Sequence, residues 1–202
     1  MAGPTREFWE QRFRDGHTPW DRGAVNPQLG AWLGAKALAP CRILVPGCGS
    51  GYELVALAAA GFEVTGLDYA PVALERSRAS LDAAGLSATL VQADVLDWQP
   101  EAPFDAVYEQ TCLCALYPDD WRAYADQLHR WLKPGGKLCA LFVQFTRSGA
   151  ESGAILGPPY HCDINAMRAL FPAPRWSWPK PPYPLTSHPA GLAELAVILG
   201  RG

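Results

Sequence analysis

The chain has 202 residues, enough for one ordinary domain with a sizeable core that needs no staples. Hydrophobic residues at 49 % and charged residues at 18 % describe a globular chain and exclude disorder. A net charge of −3 leaves no broad basic face, so nucleic acid is not an expected partner.

No membrane association is expected, because the longest run of apolar residues plus Gly, Leu54 to Phe62, is far too short to cross a bilayer. Met1 to Gly16 is charged and has no apolar stretch ahead of a small-residue cleavage site. It does not read as a signal peptide, and the expected location is cytoplasmic. The six cysteines include no C-x-x-C, and Cys112, Cys114 and Cys139 sit inside apolar stretches, so they read as buried thiols. The four histidines are scattered without zinc spacing, and no metal is expected.

In chain order, Met1 to Leu29 shows no strand pattern but carries Phe8, Trp9, Phe13 and Trp20. That density of aromatics suits an amphipathic helix packed on a sheet, or a lid across a ligand site. Arg42 to Val45 is a short buried-strand run ended by Pro46 and glycines. A helix is predicted over Tyr52 to Ala60, stopped by Gly61, then a strand over Glu63 to Leu67 ending at Asp68. Ala70 to Ala84 is helical, with Pro71 near its start where a missing N–H costs nothing. Ala88 to Ala93 is a third strand ending at Asp94, and Phe104 to Tyr108 a fourth ending at Glu109.

A helix over Asp119 to Leu132 offers Trp121, Tyr124, Leu128 and Leu132 as an apolar stripe. Pro134-Gly135-Gly136 reads as a turn before a fifth strand, Lys137 to Val143. Arg147 to Pro159 reads as a loop, Asp163 to Phe171 as a short helix capped by Asp163, and the proline-rich Pro172 to Pro189 as a loop. Glu194 to Leu199 forms the last strand. Strands alternating with helices of this length imply βαβ units, an α/β class and a mainly parallel sheet. No internal repeat is visible.

The strongest chemical signal is Val45-Pro46-Gly47-Cys48-Gly49-Ser50-Gly51-Tyr52, between a predicted strand and a predicted helix. Glycines there permit a tight turn and let a ligand approach the backbone. The spacing is G-x-G-x-G, with Tyr52 where the dinucleotide fingerprint has its third glycine. Asp68 can take the hydroxyls of a ribose, and Asp94 can accept from an exocyclic amino group while Val95 and Leu96 flank a purine. The two acids beside the turn favour an adenosine ligand. Cys48 reads as a small filler. A nicotinamide-dinucleotide oxidoreductase and a non-catalytic binding module are the competing classes.

The glycine turn, Leu67-Asp68-Tyr69, Ala93-Asp94-Val95 and Leu132-Lys133-Pro134-Gly135-Gly136 resemble the class I methyltransferases that use S-adenosylmethionine. The arm Phe8-Trp9, Phe13 and Thr18-Pro19-Trp20-Asp21 resembles the thiopurine S-methyltransferase family, which includes thiol and halide methyltransferases and bacterial relatives acting on selenium or tellurium compounds. Glu109-Gln110-Thr111, Cys114-Ala115-Leu116 and Gly157-Pro158-Pro159-Tyr160 fit the same pattern. The resemblance implies a Rossmann-like fold with a mainly parallel seven-stranded sheet. It also implies one domain over 1–202, with an arm or lid over 1–29, a cofactor-binding core over 40–145 and a C-terminal part with a substrate cap over 146–202.

Carried over by position, the resemblance gives S-adenosyl-L-methionine as cofactor, held by Trp9, Phe13, Trp20, Gly47, Gly49, Gly51, Asp68, Asp94, Val95, Glu109 and Gln110. The middle arm position, often Trp in plant members, is Phe13 here and has no indole N–H. The expected reaction is in-line methyl transfer to a small soft nucleophile: a thiol, thiopurine, halide, or selenium or tellurium compound. An oxygen or nitrogen acceptor is the alternative within the class. Tyr160 and His161, after the rigid Pro158-Pro159, are candidates to close over the acceptor. No Ser/His/Asp or Cys/His grouping stands out, so the acceptor is expected to arrive already anionic.

Overall fold

Arg42–Pro46 (β1) and Glu63–Asp68 (β2) are buried along almost their whole length, as central strands covered on both faces must be. The computed structural model describes residues 3–145 and 155–202. Between the two strands, Tyr52–Ala59 (α3) crosses over; Pro71–Ala83 (α4) then leads to Thr89–Gln92 (β3). Phe104–Gln110 (β4) returns to the other side of β1, Trp121–Trp131 (α5) follows, and Leu132–Gln144 (β5) lies beside β4. All four of these pairings, β3–β2, β2–β1, β1–β4 and β4–β5, are parallel.

The chain therefore reverses its direction of travel across the sheet at β1, which has β2 on one side and β4 on the other. A crevice opens beyond the carboxyl ends of the strands at such a reversal. Side chains alternate across the sheet and feed two cores. Ile43, Val45, Val64 and Tyr108 pack with Leu54, Leu57 and Trp32 on one face; Leu44, Val107, Leu138 and Phe142 pack with Tyr124, Leu128 and Trp131 on the other.

The ends add what the alternation does not forecast. Arg6–Arg14 (α1) is capped by Thr5, and Pro27–Gly34 (α2), capped by Asn26, is a second helix reaching beyond the expected arm. Ile164–Leu170 (α6) is capped by Asp163 as expected. In the proline-rich tail, Trp176–Ser177 (β6) and Leu185–Ser187 (β7) form where a loop was expected; both lie along the long antiparallel strand Ala193–Arg201 (β8). The sheet has eight strands among the described residues instead of seven, because prolines between Trp178 and Leu185 break the outer edge into two short pieces.

Smaller corrections have local causes. Pro134 to Gly136 belong to β5 as a bulge, where the β4 register shifts between Phe104 and Ala106, rather than forming a turn before it. β3 stops at Gln92, so Asp94 sits in the following turn rather than at the strand end. The α5 helix begins after a single 3₁₀ turn at Pro118–Asp120. The loop expected over Arg147 to Pro159 lies partly outside the described residues. No described helix is long and apolar enough to cross a membrane.

Candidate functional site

A cavity of about 730 Å³ opens at the carboxyl ends of β1 and β4, a volume typical of a small-molecule site. Its floor is the turn after β1. Gly47, Gly49 and Gly51 all have left-handed backbones, with φ of +62°, +53° and +79°. Side chains resist that conformation, which is why the turn is built of glycine. A Cβ on Gly47 would also approach Cys112 Cβ to 3.1 Å, whereas one on Gly49 would meet the Phe13 ring of the arm at 3.7 Å, an ordinary contact.

Gly51 differs from its neighbours. It is the N-cap of α3, and a Cβ there would stand 2.7 Å from Ser77 Oγ and 2.8 Å from Ser77 Cα. Its place is the close approach of α3 to α4, and it does not line the cavity.

Asp68 ties this turn to the next strand. Its Oδ2 accepts the Gly49 N–H at 3.1 Å and its Oδ1 the Ala70 N–H at 3.0 Å. Burial pushes the carboxyl up to about 6, against the pull of those backbone N–H groups. Ser77 Oγ donates to the Gly49 carbonyl at 2.8 Å and Ser80 Oγ to the Ser50 carbonyl at 2.9 Å. The turn is thus held from both sides. Asp94 accepts the Leu96 N–H at 2.9 Å, which fixes the turn that presents buried Val95 to the cavity.

The opposite wall is the arm. Trp20 stands edge-on to Trp9 at 5.2 Å and to Phe13 at 5.8 Å, and all three rings line the cavity. The arm is clasped by polar contacts: Ser50 Oγ donates to Asp21 at 2.7 Å, the Val72 N–H donates to Glu10 at 3.3 Å, and Arg76 donates to the Phe13 carbonyl. Both readings of the arm meet here. It is helical and packed, but on α4 and above the crevice, so that it also walls the site.

Among the residues expected at the cofactor, Glu109 departs. Tyr108 and Gln110 face the cavity, and strand alternation turns Glu109 the other way. Its Oε1 accepts the Leu113 N–H at 2.7 Å, Oε2 has no hydrogen-bond partner, and burial pushes it up to about 7. Tyr160 and His161 also stand off the lining. The Tyr160 N–H donates to the Cys114 carbonyl at 2.7 Å, and its ring packs edge-on against Tyr117, which does line the cavity. His161 Nδ1 accepts the Phe145 N–H at 3.0 Å. Pro158 and Pro159 reach the wall in their stead.

Several lining residues are not among those the sequence assigns to the site. Thr111, just past β4, adopts φ +60° without being glycine, a strained backbone of the sort that collects at functional sites. Arg22 and Glu53 line the wall, as does His188 from the turn between β7 and β8. Burial and Arg22 hold His188 down to about 4, so it is neutral, and its Nδ1 accepts the Ala190 N–H at 3.2 Å. Cys48 and Cys112 also face the cavity, but burial raises both thiols, which keeps them protonated and unreactive.

Comparison with known proteins bears on this arrangement. The family Thiopurine S-methyltransferase (TPMT) matches residues 4–178. A probable thiol methyltransferase 2 of Arabidopsis thaliana is 34% identical over 166 residues, covering 81% of this chain and 70% of the relative. A thiopurine S-methyltransferase of Gluconobacter oxydans (strain 621H) is 29% identical over 181 residues, covering 81% and 79%. A structure solved for the conversion of a disulfide bond into a thioacetal group during echinomycin biosynthesis superposes with a TM-score of 0.79 at 28% identity, covering 97% of this chain and 92% of that one. Magnesium protoporphyrin IX methyltransferase of Synechocystis PCC 6803 with bound S-adenosylmethionine shares the fold, with a TM-score of 0.75 at 18% identity over 100% of both chains.

Proposed function

This chain belongs to the thiopurine S-methyltransferase family and is an S-adenosylmethionine-dependent methyltransferase, and from that premise we propose that its acceptor is a small soft nucleophile: a thiol, thiopurine, halide, or selenium or tellurium compound. The observation that carries the reading is the cavity itself. A glycine turn held by a buried carboxylate faces three aromatic rings, and the space between suits a nucleoside sulfonium beside a small acceptor.

The residues fit that cofactor. The left-handed turn at Gly47 and Gly49 leaves the backbone free of Cβ atoms. Each Asp68 oxygen, with one backbone N–H in hand, keeps a lone pair for a ribose hydroxyl. Val95 offers an apolar face to a purine, and Asp94 an acceptor beside it. Trp9, Phe13 and Trp20 offer ring faces and edges to a cationic centre, an attraction of about 0.5–2 kcal/mol. When bound, the cofactor supplies a methyl group already activated by a positively charged sulfur. The chain's part is to align the acceptor, hold it against the rings and Gln110, and keep water out. We assign cofactor contact to Trp9, Phe13, Trp20, Gly47, Gly49, Asp68, Asp94, Val95 and Gln110. Gly51 and Glu109 act through the turn and the strand end.

The arm, the core and the C-terminal part work as one domain in this reading. The six unpaired cysteines support a reducing compartment, which favours the cytoplasm.

The deciding experiment measures S-adenosylhomocysteine release with thiols, thiopurines, thiocyanate, halides and chalcogen oxyanions, against catechols and simple amines. Turnover of the first group is expected. Efficient methylation of a catechol or an amine at neutral pH, with the first group inert, would replace the soft-nucleophile reading by an oxygen or nitrogen acceptor.

A further inference from the structure

The wall between the arm and the tail is polar, in contrast to the aromatic wall. Glu53, in the first turn of α3, lines the cavity, and its Oε1 accepts the Asn26 N–H at 2.9 Å. Asn26 is fully buried, and its side chain donates to Glu194 Oε2 at 3.0 Å. Arg22 stands 3.7 Å from that same oxygen. Asn26 therefore bridges two carboxylates, one from α3 and one from β8, and the second of them stands beside the Arg22 guanidinium.

We propose that Glu53 is the proton acceptor of this site and takes the proton of a neutral thiol as it is methylated. The inference rests on the soft-nucleophile reading and deepens it. The acceptor S–H bond breaks and its proton forms an O–H bond on Glu53. The electron pair left on sulfur makes the new S–CH₃ bond as the sulfonium–CH₃ bond breaks. Products are the methyl sulfide, S-adenosylhomocysteine and a protonated Glu53, which returns its proton to solvent.

The other acids of the cavity wall have other places: Asp21 accepts from Ser50 Oγ and the Gly23 N–H, and exposed Asp119 and half-buried Asp120 lie on the 3₁₀ turn before α5. Asp68, which accepts the Gly49 and Ala70 N–H groups, serves the ribose hydroxyls, and Asp94, which accepts the Leu96 N–H across Val95, serves the purine. Glu109 faces away from the cavity, and Glu194 lies behind Asn26 rather than on the wall. His188 has its Nδ1 engaged, so its proton sits on Nε2 and it can donate but not accept. Tyr108 spends its hydroxyl hydrogen on Gln110 Oε1 at 2.7 Å.

The surroundings of Glu53 suit a base for thiols. Burial and Asp21 of the arm raise its carboxyl above the ordinary range, while the Asn26 N–H and Arg22 restrain it. Glu194 from β8, Tyr108 from β4 and Cys48 from the turn are the further titratable groups that feel it. A base moved toward neutrality is better matched to a thiol proton than an ordinary carboxylate is.

The test compares wild type with Glu53→Gln, using a thiol of pKa about 8.5 and thiocyanate, which has no proton to lose, from about pH 5.5 to 8.5. The expected result is that the ratio of thiol to thiocyanate kcat/KM at neutral pH falls about 100-fold in the variant, the low end of what a general base contributes. The wild-type thiol profile should level off well below the thiol's own pKa. The variant's should keep rising about tenfold per pH unit until that pKa. Glu53→Asp should recover part of the ratio.

A measurement without cofactor adds an independent readout. The carboxyl ¹³C resonance of Glu53 in the free protein should titrate above the ordinary glutamate range, and it keeps the question open to test if Glu53→Gln does not fold. An unchanged ratio with unchanged profiles, or an ordinary Glu53 titration, overturns the assignment and leaves the soft-nucleophile reading standing. Wild-type protein that binds S-adenosylhomocysteine yet methylates neither class overturns both.

Discussion

The two sides of the cavity are built by different means. The floor, from β1 through α4, uses residues close in sequence: Gly49 and Asp68 meet across one βαβ unit, and Ser77 and Ser80 reach back to the same turn. The outer wall gathers residues from opposite ends of the chain, with Asn26 on Glu194 and Arg22 on the carbonyl of Ser187. The floor holds its shape through backbone hydrogen bonds and positive-φ glycines. The outer wall depends on a few buried polar side chains, with Arg22 Nε and Glu194 Oε1 left without partners. A site that must admit a cofactor and release its product is served by one fixed side and one with less internal bonding.

The sharpest way to break this contrast is at Gly51. Alanine there must accept φ +79° and a Cβ within 2.8 Å of the Ser77 backbone, which α4 cannot relieve without moving. Gly51→Ala should cost about 2–4 kcal/mol of folding stability by denaturant melts. A loss below about 1 kcal/mol would mean that the floor is as yielding as the outer wall.

Asp68→Ala is expected next in size. It removes the acceptor of two backbone N–H groups and the proposed ribose contact, and calorimetry should find S-adenosylhomocysteine binding weaker by about 1.5–3 kcal/mol. Undiminished binding would take Asp68 out of the cofactor site.

Trp20→Ala tests the arm. It deletes the ring that both Trp9 and Phe13 meet edge-on, and should weaken cofactor binding by about 1–2 kcal/mol while changing stability less. An arm that serves only packing would show the reverse: lost stability at constant affinity.

A pH-dependent effect is expected at Glu194. Burial pushes its carboxyl up to about 7 from 4.5. A carboxyl raised on folding contributes stability that is complete below about pH 4.5 and is lost as pH rises through about 7. Glu194→Gln removes that loss, so the variant's melting temperature relative to wild type should rise by about 5–10 °C between about pH 5 and 8. Taking the difference cancels His188, whose lowered value gives a slope of opposite sign: its contribution is lost as pH falls from 6.5 through about 4. A pH-independent difference would show that Arg22 and Asn26 already neutralise the pair.

The sequence by itself determined the floor. A glycine turn between a strand and a helix, with acids after the next two strands, has one sensible geometry once βαβ units stack in parallel, because short connections and strand handedness leave little choice. Trp9, Phe13 and Trp20 were legible as a group only through resemblance, since aromatic density does not say what it packs against. The tertiary structure alone decided the rest. Strand alternation turned Glu109 away while keeping Gln110 on the wall, a one-residue phase that the run Tyr108 to Gln110 leaves open because all three side chains suit either face. It brought Glu53, Arg22, Asn26, His188 and Glu194 together from segments up to 168 residues apart. No local pattern marks such a meeting, because each of these residues is ordinary in its own stretch. Its chemistry arises only when burial strips water from two carboxylates and leaves them one guanidinium to share.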